Sequence, residues 1–232
     1  YSLPAVILWK ETAVERAGRR ARIANPPPIW GAATPSGPPL VGGAGRVNRV
    51  VIDPTDTARW VACAPSGGVW QSWDSGRNWS LMGTVDWAGM GVSDIAFHPD
   101  DPMQLLAATG DGDFGSAYAI GLMRSLDGGN TWDPTGLAFD LSETQTVQRV
   151  HRKSGAPDHI LVAASNGLWR STDGGITFDQ TLEGLFSDLI PHPTDSAIWY
   201  AAERPGRIYR STNGGASWTP AAGMPHPYVV SR

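Results

Sequence analysis

Ser125-Leu126-Asp127-Gly128-Gly129-Asn130-Thr131-Trp132 decides the fold, because the chain states this phrase four times. The other copies are Ser72-Trp73-Asp74-Ser75-Gly76-Arg77-Asn78-Trp79, Ser171-Thr172-Asp173-Gly174-Gly175-Ile176-Thr177-Phe178 and Ser211-Thr212-Asn213-Gly214-Gly215-Ala216-Ser217-Trp218. The shared pattern is Ser-x-Asp-x-Gly-x-x-Trp, with Phe178 replacing Trp once and Asn213 replacing Asp once. Asp and Asn side chains accept hydrogen bonds from backbone amides a few residues on and so close tight turns. Glycine supplies the positive φ such turns need. The Ser adds a second local hydrogen bond, and the aromatic residue is expected on the strand beyond, burying a large surface. Each copy therefore predicts a β-hairpin turn with an aromatic anchor at its exit. The four Asp/Asn side chains sit in separate hairpins, which argues against their converging on one substrate.

The repeats extend on both sides of the phrase. Before the first copy come Arg46 to Asp53, ending at Asp53-Pro54, then Arg59 to Ala64 and Gly67 to Gln71; Trp79 to Met82 follows it. The same order returns as Val92 to Phe97, Gln104 to Thr109, Gly121 to Arg124 and a strand around Trp132. It returns again as Thr146 to His151, Ile160 to Ala164 and Gly167 to Arg170, and finally as Phe186 to Ile190, Ala197 to Ala202 and Arg207 to Arg210. The phrases start at residues 72, 125, 171 and 211, spaced by 53, 46 and 40 residues. Four short strands repeating at such a period predict an all-β fold of four-stranded antiparallel propeller blades. The boundaries read as a lead-in at 1–45, blades at 46–85, 86–140, 141–183 and 184–224, and the start of a further blade at 225–232. The four blades are read as an incomplete part of a larger propeller of six to eight blades or more. In the lead-in, Pro4 to Ile23 suggests a short helix, and the Pro/Gly-rich Asn25 to Gly43 an extended linker whose Trp30 docks on the domain.

The phrase resembles the Asp-box, or BNR repeat, of sialidase-like and sortilin-like β-propellers. In that superfamily the box is the turn between the third and fourth strands of a blade, on the rim and away from the central site. The resemblance implies fold rather than activity. Val92 to Pro99, Ala107 to Asp113 and Ile120 to Gly129 look in particular like large secreted bacterial propellers associated with type IX secretion. That likeness implies a secreted or cell-surface location, with the remaining blades of a larger chain, a polysaccharide or a protein as partner.

Composition narrows the classes. The formal net charge of −4 gives no general pull toward nucleic acid or an anionic membrane. No stretch is long enough to span a membrane. Cys63 is the only cysteine, so an internal disulfide is excluded, and its apolar surroundings predict a buried thiol.

Chemistry has few candidates. Asp111-Gly112-Asp113 could present oxygen ligands to calcium, the one cofactor suggested, although the loop lacks further acidic ligand positions and also reads as a turn with solvated carboxylates. Carboxylate pairs also run glycoside hydrolysis, and Asp94, Asp111 and Asp113 are the candidates. His98 and His192 recur before proline, as Asp53 does, which predicts a turn role over metal binding. Trp70, Trp169 and Tyr209 fall two residues before a box Ser, which predicts packing over a sugar platform. The arginine triad of sialidases cannot be assembled from Arg46 and Arg49, and no catalytic residue is carried over from the family. The expectation is a non-catalytic binding, adhesion or assembly propeller, with a glycoside hydrolase of sialidase or xyloglucanase type as the alternative.

Overall fold

The computed structural model describes residues 46–84, 91–112 and 117–221. The lead-in and the final Tyr228-Val229-Val230 lie outside the described residues. The first sheet contains β1 (Arg49–Ile52), β2 (Trp60–Ala64), β3 (Gly68–Ser72) and β4 (Ser80–Leu81). The second contains β5 (Val92–Phe97), β6 (Leu105–Thr109), β7 (Gly121–Ser125) and β8 (Asp133–Ala138). The third contains β9 (Val147–Lys153), β10 (Ala156–Ala164), β11 (Gly167–Ser171) and β12 (Asp179–Glu183). The fourth contains β13 (Phe186–Pro191), β14 (Trp199–Glu203), β15 (Arg207–Ser211) and β16 (Thr219–Pro220). Every sheet is an antiparallel meander in sequence order. A single 3₁₀ turn, Leu141–Glu143, lies between the second and third sheets, capped by Asp140 and Glu143.

The cores lie between consecutive sheets, and strand periodicity explains them. Along β6, Leu105 and Ala107 join Val61, Cys63, Val69 and Met82 of the first sheet. The alternate residues Leu106 and Ala108 join Val147, Val150, Ile160 and Val162 of the third. Along β10, Leu161 and Ala163 face Phe186, Leu189 and Trp199 of the fourth sheet. Successive side chains point to opposite faces, so a strand buried on both faces reads as a continuous apolar run. The first strands lie beside one another, β1 by β5, β5 by β9 and β9 by β13. This is the architecture of successive β-propeller blades. The paired residues two before the repeated Ser serve packing: Trp169 meets Phe139 edge-on at 6.4 Å, and Tyr209 meets Phe186 at 5.9 Å.

The repeated phrase forms the turn between the third and fourth strands of each sheet. In the second sheet, Gly129 N donates to Ser125 Oγ at 2.8 Å, Thr131 N to Asp127 Oδ1 at 2.9 Å, and Ser125 Oγ to Asp127 Oδ1 at 2.8 Å. The other copies repeat these bonds, with Asn213 Oδ1 accepting from Ser217 N at 3.0 Å in the fourth. Gly129 has a φ of 93°, which requires glycine, and a Cβ there would also displace the Met82 thioether tip, 1.8 Å away. The aromatic residue differs from expectation. Trp79, Trp132, Phe178 and Trp218 each stand one residue before the fourth strand, not on it. Trp79 and Trp132 are held back by their own turns, donating Nε1–H to Gly76 O at 2.9 Å and Gly129 O at 3.0 Å. Trp218 instead donates to Thr181 Oγ1 of the third sheet at 3.1 Å.

These turns are also stitched to the turn between the first and second strands. Ser75 N donates to Ala58 O, Gly128 N to Met103 O, Gly174 N to Asp158 O and Gly214 N to Ala197 O, at 2.8–3.0 Å. Asp53 Oδ1 accepts from Thr55 N and Asp56 N, while His98 Nδ1 accepts from Asp100 N and His192 Nδ1 from Asp195 N. The two histidines thus cap turns.

Replacing Ser125, buried at 1% exposure, by Ala leaves the Gly129 amide without its acceptor. Ser125→Ala should destabilise the protein by about 1–3 kcal/mol in urea unfolding. A second expectation concerns acid. The Asn78 amide and side chain, then Ser72, hold the Asp74 carboxyl down at about 2, and the Thr131 amide and hydroxyl do the same for Asp127. Asp173 is lowered by the Thr177 hydroxyl and amide and by Ser171. A depressed carboxyl contributes stability that is complete above its unfolded value and is lost as pH falls through the folded one. The melting temperature should therefore drop between roughly pH 4 and 2, and less steeply in the triple variant Asp74→Asn, Asp127→Asn, Asp173→Asn. An unchanged slope would refute this origin.

Candidate functional site

Pairing register shows that Arg49, Asp94, Arg149 and Asp188 are equivalent positions on the four first strands. They oppose Cys63, Ala108, Ala163 and Ala202. Charge thus alternates from sheet to sheet. Arg49 Nε lies 3.3 Å from Asp94 Oδ1, and Arg149 Nε lies 2.9 Å from Asp188 Oδ1. A bulge after Val92 and another after Phe186 turn each Asp so that the next amide donates to its Oδ1, Ile95 N at 2.9 Å and Leu189 N at 3.0 Å. Asp94 Oδ2 also accepts from Val150 N at 3.2 Å, so one carboxyl touches three consecutive sheets.

Burial pushes the Asp94 carboxyl above its ordinary value, against the opposing pull of Arg49, His151, the Val150 amide and Arg149. Burial likewise lowers His151, with Asp94, the Leu189 backbone and Asp188 opposing and Arg49 assisting. The His151 ring stands edge-on to Trp199 at 5.9 Å. Asp94 is 1% exposed and cannot meet a solvent-borne polymer, whereas Asp188 and Arg49 keep 49% and 42% of their side chains exposed. The accessible groups of this edge are thus a carboxylate and arginine donors, which suit hydroxyl-rich ligands.

The second candidate carboxylate, Asp111, is also 1% exposed and is ion-paired with Arg46. Its loop is tied to β5, because Gly112 N donates to Ser93 Oγ and Ser93 Oγ to Gly110 O, both at 3.0 Å. Asp113 lies outside the described residues. Among the described residues no three His, Cys, Asp or Glu side chains gather as a metal cage. The structure therefore pairs Arg46 with Asp111 and Arg49 with Asp94, and adds Arg149 and Asp188, which the sequence reading missed. Their signal was available: each of the four stands four residues before Asp53, His98, Lys153 or His192.

No family model matches the chain. It is similar to a xyloglucanase of Hypocrea jecorina, 25% identical over 82% of this chain and 27% of that protein. It is also similar to a xyloglucanase of a Paenibacillus species, 26% identical over 81% of this chain and 22% of that protein. The chain thus spans about a quarter of the length of these curated relatives. Among solved structures, an ancestral GH74 enzyme superposes with a TM-score of 0.66 at 21% identity, covering 80% of this chain and 25% of that one. The GH74 xyloglucanase of Xanthomonas campestris gives 0.62 at 21% identity, covering 80% and 31%. These structural likenesses establish the β-propeller fold.

The two inner carboxylates should respond differently to removal. Asp94→Ala leaves the Val150 and Ile95 amides without their acceptor, and urea unfolding should show a loss of about 1–3 kcal/mol or more. Asp188→Ala, at a half-exposed pair, should cost less than about 1 kcal/mol. Equal losses would contradict the burial assigned to Asp94.

Proposed function

We propose that this chain is an arc of an extracellular glycoside hydrolase of the xyloglucanase type, acting on a substituted β-glucan. The observation that carries this reading is the sequence similarity to proteins named xyloglucanases over about four-fifths of the chain. It moves the weight from a non-catalytic scaffold to the hydrolase alternative. The repeated turns, of Asp-box kind, are the frame in this reading, and the inner edge is the working surface. Arg49, Arg149 and Asp188 offer charged donors and an acceptor to the hydroxyls of a polysaccharide. Glycoside hydrolysis needs one carboxyl that donates a proton and a second that acts as base or nucleophile. Asp94 has the raised proton affinity of a donor but no access, and Asp111 is engaged by Arg46. This arc therefore contributes polymer binding, and neither residue takes the acid or base role.

One observation favours a second reading, a propeller that binds polysaccharide without cleaving it: Asp94, Asp111 and Asp188 each face an arginine. The test is to incubate the full-length protein with xyloglucan, with a galactan as control, following reducing ends and electrophoretic retardation in polysaccharide gels. The hydrolase reading predicts both retardation and new reducing ends with xyloglucan alone. Retardation without reducing ends selects the binding reading. Neither response would overturn a polysaccharide function.

A further inference from the structure

The joint between the third and fourth sheets is built like the joint between the first and second, but its charges differ. At the first joint, Asp53 follows β1, Arg59 precedes β2, and Gln71 lies opposite Val61. Arg59 is 1% exposed. Its Nη1 donates to Asp53 Oδ2 at 3.2 Å and Pro102 O at 2.8 Å, and its Nη2 donates to Gly128 O at 3.0 Å. Trp73 and Phe97 cover the guanidinium at 4.7 and 5.2 Å from their ring centres. A buried cation is tolerable here because a carboxylate and two carbonyls surround it.

Register assigns the counterparts at the third joint. Lys153 stands for Asp53, His159 for Arg59, Arg170 for Gln71, and Gly214 of the fourth turn for Gly128. A Cβ placed on Gly214 would lie 3.0 Å from His159 Cε1 and 3.3 Å from Lys153 Nζ, so both side chains converge on that turn. Arg170 Nε donates to His159 Nε2 at 2.8 Å, which leaves the ring proton on Nδ1. The carboxylate of the first joint has become an ammonium, and the ion pairs among the described residues involve none of these three side chains. Asp158 precedes His159, and Asp179 lies opposite Arg170 in the register, but neither is within ion-pair reach of them. A cleft of about 340 Å³ opens between the same two sheets. Its lining includes Ser154, Thr194, Ser196 and His192, and no carboxylate.

We infer that Lys153, His159 and Arg170 form a binding site for an oxyanion, a carboxylate or a sulfate, which takes the place that Asp53 fills at the first joint. Lys153 supplies a mobile ammonium and Arg170 a planar donor fork. Burial, then Arg170 and Lys153, keep the His159 ring below its ordinary value, against the facing Gly214 carbonyl. A bound anion reverses that balance. The ring takes up a proton, Nε2 ceases to accept, and Arg170 turns its Nε–H to the anion. Binding therefore strengthens as pH falls.

The test is a histidine ring-proton NMR titration of the whole chain at constant ionic strength, in sodium chloride, sodium sulfate and sodium glucuronate. The His159 midpoint should rise by roughly one pH unit in an oxyanion salt relative to chloride. A response to sulfate alone identifies a tetrahedral inorganic oxyanion as the ligand, and a response to glucuronate alone a sugar acid. Lys153→Asp supplies the carboxylate internally, so its midpoint should already be raised in chloride and be insensitive to either salt. Should that variant fail to fold, Lys153→Met must lose the response. A midpoint that moves in neither salt, or a response retained after substitution of Lys153, overturns the site and leaves the xyloglucan reading untouched.

Discussion

Burial of the middle strands on both faces is the constraint on which the rest of the structure depends. A two-faced strand such as β6 or β10 cannot be stable in a lone sheet, because half its apolar side chains would face water. Each fully buried Leu, Ile or Val contributes about 1.5–3 kcal/mol, so three inter-sheet cores outweigh any single turn. The turns decide geometry instead. Each repeated Ser and Asp converts a chain reversal into a fixed set of hydrogen bonds, and each turn is pinned to the neighbouring turn of its own sheet. Sheets of uniform shape can then stack repeatedly.

Stacking creates the electrostatic problem that the inner strands solve. Equivalent positions on neighbouring first strands approach one another, and four like charges there would repel. The alternation of Arg49, Asp94, Arg149 and Asp188 converts that repulsion into pairing. Asp94 goes further, with hydrogen bonds and an ion pair reaching across three sheets while itself remaining buried. At the third joint, Lys153, His159 and Arg170 gather without a carboxylate.

Much of the fold was legible in the sequence, since the repeated phrase fixes turn positions and the runs before it fix strands. The strand position of the box aromatic residue was misread; in Trp79 and Trp132 the indole bonds back to its own turn, a preference invisible in spacing. The turn roles of His98 and His192 were legible from their recurrence before proline. The candidate site was less legible. Asp94 and Asp111 were singled out, but their arginine partners depend on which sheets are neighbours and on bulges that redirect side chains. Arg149 and Asp188 were missed although they stand four residues before Lys153 and His192, as Arg49 stands before Asp53. Asp113 lies outside the described residues.

The most direct measurement of the central claim is native-state hydrogen exchange resolved by residue. If two-faced burial between consecutive sheets holds the molecule together, the slowest amides will lie in β6 and β10, at 105–109 and 160–164, which have sheets on both sides. Amides of β1 will exchange faster, because Val50 and Ile52 keep 48% exposure on the face turned from the second sheet. Equal protection in all four sheets, or slowest exchange in the repeated turns, would contradict the account.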